Sequence, residues 1–72
     1  MKYIRHKKYG ICLFPNIIKH ENMAECFFGK EGIISAGFVG IGPFDTLECY
    51  GESTSLHLHY QDEDNDILRK QF

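Results

Sequence analysis

Apolar and polar residues alternate along several parts of this chain, and a period of two is typical of β-strands with one buried face. The first part, residues 2–14, contains two such segments around the Lys7–Gly10 turn and predicts a β-hairpin. Residues 32–41 form the longest alternating segment and are predicted to be the most buried strand. Two further strands are expected over residues 46–50 and 54–60, because Gly-Glu-Ser interrupts the pattern between them.

Two other segments have helical rather than alternating spacing. Asn16 follows Pro15 and is a favoured N-cap residue, so a helix is predicted from about residue 17 or 19 to Phe28, with Gly29 as its C-terminal cap. Near the C-terminus, the acidic residues 62–66 precede two apolar and two basic residues. This charge order suits the helix dipole and predicts a short C-terminal helix.

These elements follow the order β-β-α-β-β-β-α and predict a single α+β domain over residues 1–72. The first helix is expected to lie across one face of a small antiparallel sheet, with the short C-terminal helix at an edge. A chain of this length hides only about 60% of the surface that its unfolded form exposes, so we expect a thin core. The residues expected to be mostly buried are Leu13, Phe14, Phe27, Ile34, Phe38, Leu56 and Leu58.

Composition narrows the class of protein further. Hydrophobic residues make up 43% of the sequence, and no apolar run reaches the roughly 18 to 20 residues that a membrane span requires. The chain has three cysteines without a regular framework, and no signal-peptide pattern follows Met1. We therefore expect a cytoplasmic protein with reduced thiols and no membrane association.

Charge is unevenly divided along the chain, within a net charge of −2. Residues 1–36 carry six basic and three acidic side chains, whereas residues 37–72 carry two basic and seven acidic ones. This division permits steering toward a charged partner or head-to-tail self-association. The alternative is that both halves are solvated faces that keep a small protein soluble.

A homodimer with two-fold symmetry is expected from the size of the chain. Small domains often need a partner subunit, and a sheet has edge strands with unpaired backbone groups. Two-fold dimers are the commonest closed arrangement, and aromatic residues are enriched at interface cores. We expect a second copy to cover some of the aromatic residues that are exposed on the monomer. The candidates are Tyr3, Tyr9, Phe44, Tyr50 and Tyr60.

His57 and His59 are two residues apart on the last predicted strand and would share one of its faces. Two imidazoles can supply part of a zinc site, which needs three or four ligands in a defined geometry. A third ligand would have to be Cys49, His6, His20 or an acidic residue that the fold brings near, and the sequence guarantees none of these. A solvated strand face is therefore the preferred interpretation, and neither a metal nor another cofactor is expected.

The cysteines and histidines also allow the hypothesis of a thiolate nucleophile that an imidazole activates. Cys12 and Cys49 lie in alternating segments, and Cys26 lies on the predicted helix. All three are interpreted as small core residues. Catalysis is therefore not expected.

Residues 5–9 combine positive charge with an aromatic side chain, which is the minimum needed for phosphate contact and base stacking. The chain is acidic overall and contains no nucleic-acid-binding motif, so nucleic acid is not the expected partner. Docking onto an acidic protein surface is preferred. The residues expected to contact a partner are Arg5, Lys7, Lys8, Tyr9, Phe44 and Tyr50.

The residues that carry a resemblance to known sequences form three groups: Tyr3-Ile4-Arg5-His6 with Gly10 and Leu13-Phe14-Pro15, then Ser35-Ala36-Gly37-Phe38-Val39, then Cys49-Tyr50-Gly51-Glu52-Ser53 with Ser55-Leu56. With these motifs the whole chain loosely resembles small reading frames of proteobacterial genomes and prophages. The resemblance implies a mobile-element or accessory-gene setting. It implies no activity, cofactor or site residue.

Taken together, the sequence favours a small non-catalytic protein-interaction module, mobile-element or phage encoded, that binds a host or partner protein. One alternative is a protein that binds or sequesters a small ligand in a pocket at a subunit interface. The third hypothesis is a metal-dependent or cysteine-dependent enzyme.

Overall fold

The computed structural model describes residues 1–72 and contains six β-strands and two α-helices. Two 3₁₀ turns precede the third and fourth strands, and neither α-helix has the length and apolar character needed to cross a membrane. The chain is an α+β domain with a small antiparallel sheet, as the sequence predicts. The elements are β1 (Lys2–His6), β2 (Gly10–Phe14), α1 (His20–Cys26), β3 (Ile33–Ile41), β4 (Leu47–Tyr50), β5 (Glu52–Ser53), β6 (Leu58–His59) and α2 (Asp62–Gln71).

Four strands form the main sheet in the order β2-β1-β3-β4, and every neighbouring pair is antiparallel. Strand β3 pairs with β1 rather than β2, because the α1 segment carries the chain back across the sheet. The alternation predicted for this strand is present from Ser35 to Val39, but a register shift against β1 places Ile33 on the same side as Ala36. Ala36 packs on the side of α1, whereas Ser35 and Val39 contact the side of α2.

The two helices cover opposite faces of the sheet, so the core has two halves. The half on the α1 side contains Ile4, Phe14, Ala24, Ile33 and Ala36. The half on the α2 side contains Tyr3, Ile11, Val39, Cys49 and Leu68. The expectation that the C-terminal helix lies at a sheet edge is therefore wrong. Strand β1 has apolar side chains on both faces, and the second face needs α2 to cover it.

The predicted strand over residues 54–60 is reduced to β6, which has two residues and pairs only with β5. Residues 54–57 form a turn, in which His57 has a positive φ of 56°. Leu56 and Leu58 still pack against the α1-side core. Their alternation thus reflects burial in a small hairpin rather than a long strand.

Helix α1 is shorter than predicted at both ends. It begins at His20, one residue after the later of the two predicted starts, so Lys19 rather than Asn16 precedes it, and no side chain caps its first turn. It ends at Cys26, and Phe28 then adopts a φ of 66° before Gly29 with a φ of 88°. Seven residues of helix cover only part of the sheet face. Of the seven residues expected to be mostly buried, only Phe14 is fully so, and the other six are half-buried.

Side chains of α2 hydrogen-bond to both edges of the sheet. The backbone N–H of Ile11 on β2 donates to Gln71 Oε1 at 2.9 Å, and Gln71 Nε2 donates to the carbonyl of Ile11 at 2.6 Å. On the opposite edge, the backbone N–H of Cys49 donates to Asn65 Oδ1 at 2.7 Å. These contacts occupy edge groups that would otherwise be free to pair with another strand.

Candidate functional site

A buried polar network surrounds Asp64, near the start of α2. Its carboxylate accepts hydrogen bonds from the Ser35 hydroxyl at 2.9 Å, the Gln61 backbone N–H at 3.0 Å and the Tyr3 hydroxyl. Burial and the bond to Asp64 raise the pKa of Tyr3 well above its usual value. The network links α2 to β1 and β3, so it stabilises the fold.

Arg5 belongs to this network and is only 6% exposed. Its Nη2 donates to Glu63 Oε1 at 2.9 Å, and its Nη1 lies 2.8 Å from Asp64 Oδ1. The Nη1 contact is an ion pair without hydrogen-bond geometry. Arg5 was expected on the partner-binding surface, but its guanidinium lies inside the protein. The sequence could not show this, because Glu63 is 58 residues away along the chain.

An aromatic cluster lies beside the β1–β2 turn and is formed by His6, Tyr9, Phe27 and Phe28; we call it the hairpin-tip cluster. The rings of Tyr9 and Phe28 stack with centroids 4.0 Å apart and an interplanar angle of 24°. Tyr9 is 46% exposed and Phe28 is 62% exposed. The two stacked rings therefore form a flat apolar face in contact with solvent.

The buried side chain of His6 holds this face in place. The His6 ring lies 4.9 Å from the Tyr9 ring and 5.7 Å from the Phe28 ring. His6 Nδ1 accepts a hydrogen bond from the Lys8 backbone N–H at 3.0 Å and a longer one from the Tyr9 N–H at 3.4 Å. His6 thus supports both the turn and the stacked rings, a role that sequence reasoning missed.

Positive charge borders the hairpin-tip cluster. Lys8 Nζ lies 5.4 Å from the centroid of the Tyr9 ring, within cation–π range. Lys7 and Lys8 are exposed and form no ion pair, whereas Lys30 pairs with Glu25 at 3.5 Å. Lys8, one of the two lysines expected to contact a partner, therefore borders an aromatic face, and Lys7 precedes it in the same exposed turn.

The other two residues expected to bind a partner lie elsewhere. Phe44 is 97% exposed in the turn after β3 and contacts no other aromatic ring, although its φ is also positive at 62°. Strand β3 separates that turn from the hairpin tip by roughly 26 Å, at about 3.3 Å per residue. Tyr50 stacks on Phe38 with centroids 5.8 Å apart. The five expected residues that are exposed are thus spread over three places, and Arg5 is buried in a fourth.

His57 and His59 do not share a strand face. His57 lies in the turn before β6, and His59 Nδ1 contacts the carbonyl of Tyr60 at 2.7 Å. No group of three or more His, Cys, Asp or Glu side chains in the structure could hold a metal ion. The two imidazoles therefore have no third ligand beside them.

The three cysteines have different environments. Burial raises the pKa of Cys49 to about 11 and also raises the pKa of the half-buried Cys12. A raised pKa disfavours the nucleophilic thiolate. Cys26 is exposed on α1, so its interpretation as a core residue is wrong.

A polar groove of about 320 Å³ lies where the N-terminal end of α1 approaches the β5–β6 hairpin. The main sheet supplies two of its lining residues, the N-terminal end of α1 with its N-cap residue supplies three, and the β5–β6 hairpin supplies three. The lining residues are Lys2, Lys19, His20, Glu21, Phe38, Glu52, Thr54 and Ser55.

His20 is the buried member of this lining. Its Nε2 lies 2.8 Å from the carbonyl of Gly37, and since a carbonyl only accepts, Nε2–H is the donor. The rings of Phe14 and Phe38 approach it edge-on, each with a centroid distance of 5.5 Å. Burial lowers the pKa of His20, which favours the neutral imidazole. Its Nδ1 is then an acceptor without a partner in the protein.

Comparison with known proteins adds no functional information. No protein-family model matches the chain, and no curated protein or solved structure is significantly similar to it. Function must therefore be argued from the two surface features described above, the hairpin-tip cluster and the polar groove.

Proposed function

We propose that this protein is a small non-catalytic interaction module that binds an acidic segment of another protein through the hairpin-tip cluster. The observation that carries the proposal is the stacking of two exposed rings, Tyr9 and Phe28, at 4.0 Å. An apolar face that is already ordered can be covered by a partner without a further cost in side-chain entropy. Aromatic side chains are also enriched at the centres of protein interfaces.

The position of Phe28 supports a role outside the folded domain. A positive φ at a bulky residue costs about 1–3 kcal/mol, and the ring remains largely in water. Phe28 is not part of either buried cluster, whereas its neighbour Phe27 packs against the α1-side core. A protein partner that buried the ring would offset the backbone strain.

The charges define the chemistry of the partner. The ammonium groups of Lys7 and Lys8 form no ion pair, and that of Lys8 borders the Tyr9 ring. An apolar or aromatic side chain flanked by Asp or Glu would match both the face and its rim. The net charge of −2 disfavours a nucleic acid, whose phosphates would be repelled by the acidic half of the molecule. In a phage or mobile-element setting, the partner would be a host protein.

Selection from a displayed library of short random peptides tests this proposal. We expect the enriched peptides to carry an apolar or aromatic residue flanked by acidic residues. Replacing Phe28 by Gly removes the ring and relieves the positive φ, so the fold should be retained. Binding of a selected peptide should nevertheless weaken about tenfold or more, which is the range of an interface hot spot.

The matched control is Ile17→Ala, because Ile17 is also an exposed apolar residue but has no ring partner. This variant should bind the selected peptide as tightly as the wild type. Peptides without acidic residues, or peptides that bind Phe28→Gly and wild type equally, would refute the proposal.

A second copy of the chain is the alternative partner, because residues 37–72 carry the acidic excess. In such a homodimer the Lys7–Tyr9 turn of one protomer would meet the acidic segment of the other. The side chains of α2 that occupy backbone groups of Ile11 and Cys49 on the two edge strands favour contact through faces over pairing of these strands.

A further inference from the structure

The polar groove contains charges of both signs that do not pair with each other. Lys2 and Lys19 supply two ammonium groups, and Glu21 and Glu52 supply two carboxylates. None of the four takes part in an ion pair in the structure. A ligand with a single charge would meet attraction and repulsion together, whereas a zwitterion could match both signs.

The groove also offers an aromatic surface. The Phe38 ring lines it, and the Tyr50 ring extends this surface by stacking on Phe38 with an interplanar angle of 25°. Helix α1 is too short to cover this part of the sheet, so Phe38 remains half-buried and Tyr50 is 53% exposed. An apolar or aromatic group of a ligand can pack there.

His20 adds a neutral hydrogen-bond acceptor. Its Nε2–H is used by the Gly37 carbonyl, which leaves Nδ1 free of protein partners. Thr54 and Ser55, on the opposite wall, supply hydroxyl groups. Neutral acceptors and hydroxyls suit the N–H groups of an ammonium and the oxygens of a carboxylate.

The volume of about 320 Å³ lies at the small end of ligand sites, which hold roughly 300–1,000 Å³. We propose that the groove binds a small zwitterion with an apolar or aromatic body, of the class of free α-amino acids. The carboxylate of the ligand would face Lys2 and Lys19, and its ammonium group would face Glu21 and Glu52. This site is separate from the hairpin-tip cluster and does not depend on the function proposed for that cluster.

Titration of ¹⁵N-labelled protein with L-phenylalanine, followed by amide chemical shifts, tests the proposal. We expect saturable shifts at Lys19, His20, Phe38 and Ser55. Phenethylamine lacks the carboxylate and 3-phenylpropionate lacks the ammonium group, so each should bind about tenfold more weakly, the equivalent of one charge-assisted contact.

Lys19→Gln and Glu52→Gln each remove one groove charge at an exposed position, so both variants should fold. Lys19→Gln should weaken L-phenylalanine binding without affecting phenethylamine, and Glu52→Gln should weaken it without affecting 3-phenylpropionate. Lys70→Gln, outside the groove, is the matched control and should change nothing. Absence of saturable groove shifts, equal affinity for all three compounds, or unchanged affinity in both groove variants would overturn the proposal.

Discussion

Asp64 is the residue on which several buried polar groups converge. Arg5, Ser35, Tyr3 and the Gln61 backbone N–H all contact its carboxylate, and Asp64 itself is fully buried. Removing one partner of a buried ion pair leaves an uncompensated charge. The stability of the α2 side should therefore depend on this single carboxylate.

We expect Asp64→Ala to lower the free energy of unfolding by about 3–5 kcal/mol, because the buried Nη1 of Arg5 and the hydroxyls of Ser35 and Tyr3 would lose their common partner. Arg5 would keep only its contact with the exposed Glu63. Urea unfolding monitored by circular dichroism measures this change. Asp66→Ala is the control, because Asp66 is exposed on the same helix, and its effect should be within about 0.5 kcal/mol. Equal effects of the two substitutions would show that the network does not stabilise the fold.

The lowered pKa of His20 predicts a pH effect on stability. Burial disfavours its charged form, so below its ordinary value of 6.5 the unfolded chain binds more protons than the folded one. Stability should therefore fall as the pH drops below 6.5, by at most about 1.4 kcal/mol per pH unit from this group. The His20→Gln variant has no titrating side chain at this position, so its stability should not show the fall that His20 causes. Parallel stability profiles of the two proteins between about pH 7.5 and 5 would contradict the prediction.

Residue properties were predicted unevenly from the sequence. The exposure of Lys7, Lys8 and Tyr9 follows from their place in a turn, which local pattern reveals. The burial of Arg5 depends on acidic groups at the other end of the chain. The role of Phe28 depends on a backbone angle that no periodicity encodes, and the only available signal was two aromatic residues before Gly29.

The side chain of Gln71 on α2 occupies backbone groups of the edge strand β2 that another strand would otherwise pair with. Its amide forms two hydrogen bonds with the backbone of Ile11. We expect Gln71→Ala to accelerate hydrogen exchange of the Ile11 amide about tenfold, because that N–H loses its acceptor. Exchange of the Ile4 amide on the central strand β1 should change much less. Lys70→Ala, as a control, should leave Ile11 unaffected, and an unchanged Ile11 rate in Gln71→Ala would contradict this role.

The elements with a strong local signal were predicted well. The β1–β2 hairpin, β3 and β4 follow from alternation and from the glycines and prolines between them. The extent of β6 and the position of α2 were not predicted. The extent of β6 and the position of α2 depend on which face of the sheet is still uncovered. That face can be identified only when the strand order β2-β1-β3-β4 is known.

The polar groove could not be predicted for the same reason. Lys2, His20 and Ser55 lie on three different elements and meet only when the β5–β6 hairpin folds against α1. From the sequence, His20 is only one of the residues named as a third metal ligand. Its role in the groove depends on tertiary contacts with Gly37 and Phe38.

For the whole molecule, a homodimer remains a prediction. Sedimentation equilibrium at tens of micromolar should give a mass above the 8.4 kDa of the monomer that rises with protein concentration. Higher salt should weaken the association only partly, because apolar contacts are not screened. A single species at 8.4 kDa would exclude the dimer. Loss of the dimer in Phe28→Gly would show that a second copy occupies the hairpin-tip cluster.

The proposed function requires that the hairpin-tip cluster contact another protein in the cell. A photo-crosslinking phenylalanine analogue can replace Phe28, whose ring is exposed, and Ile17 provides the matched exposed position. Irradiation of living cells that produce the protein should give one discrete adduct from position 28 and none from position 17. Lys7→Gln with Lys8→Gln should reduce that adduct. No adduct from position 28, or the same adducts from both positions, would contradict the proposed function.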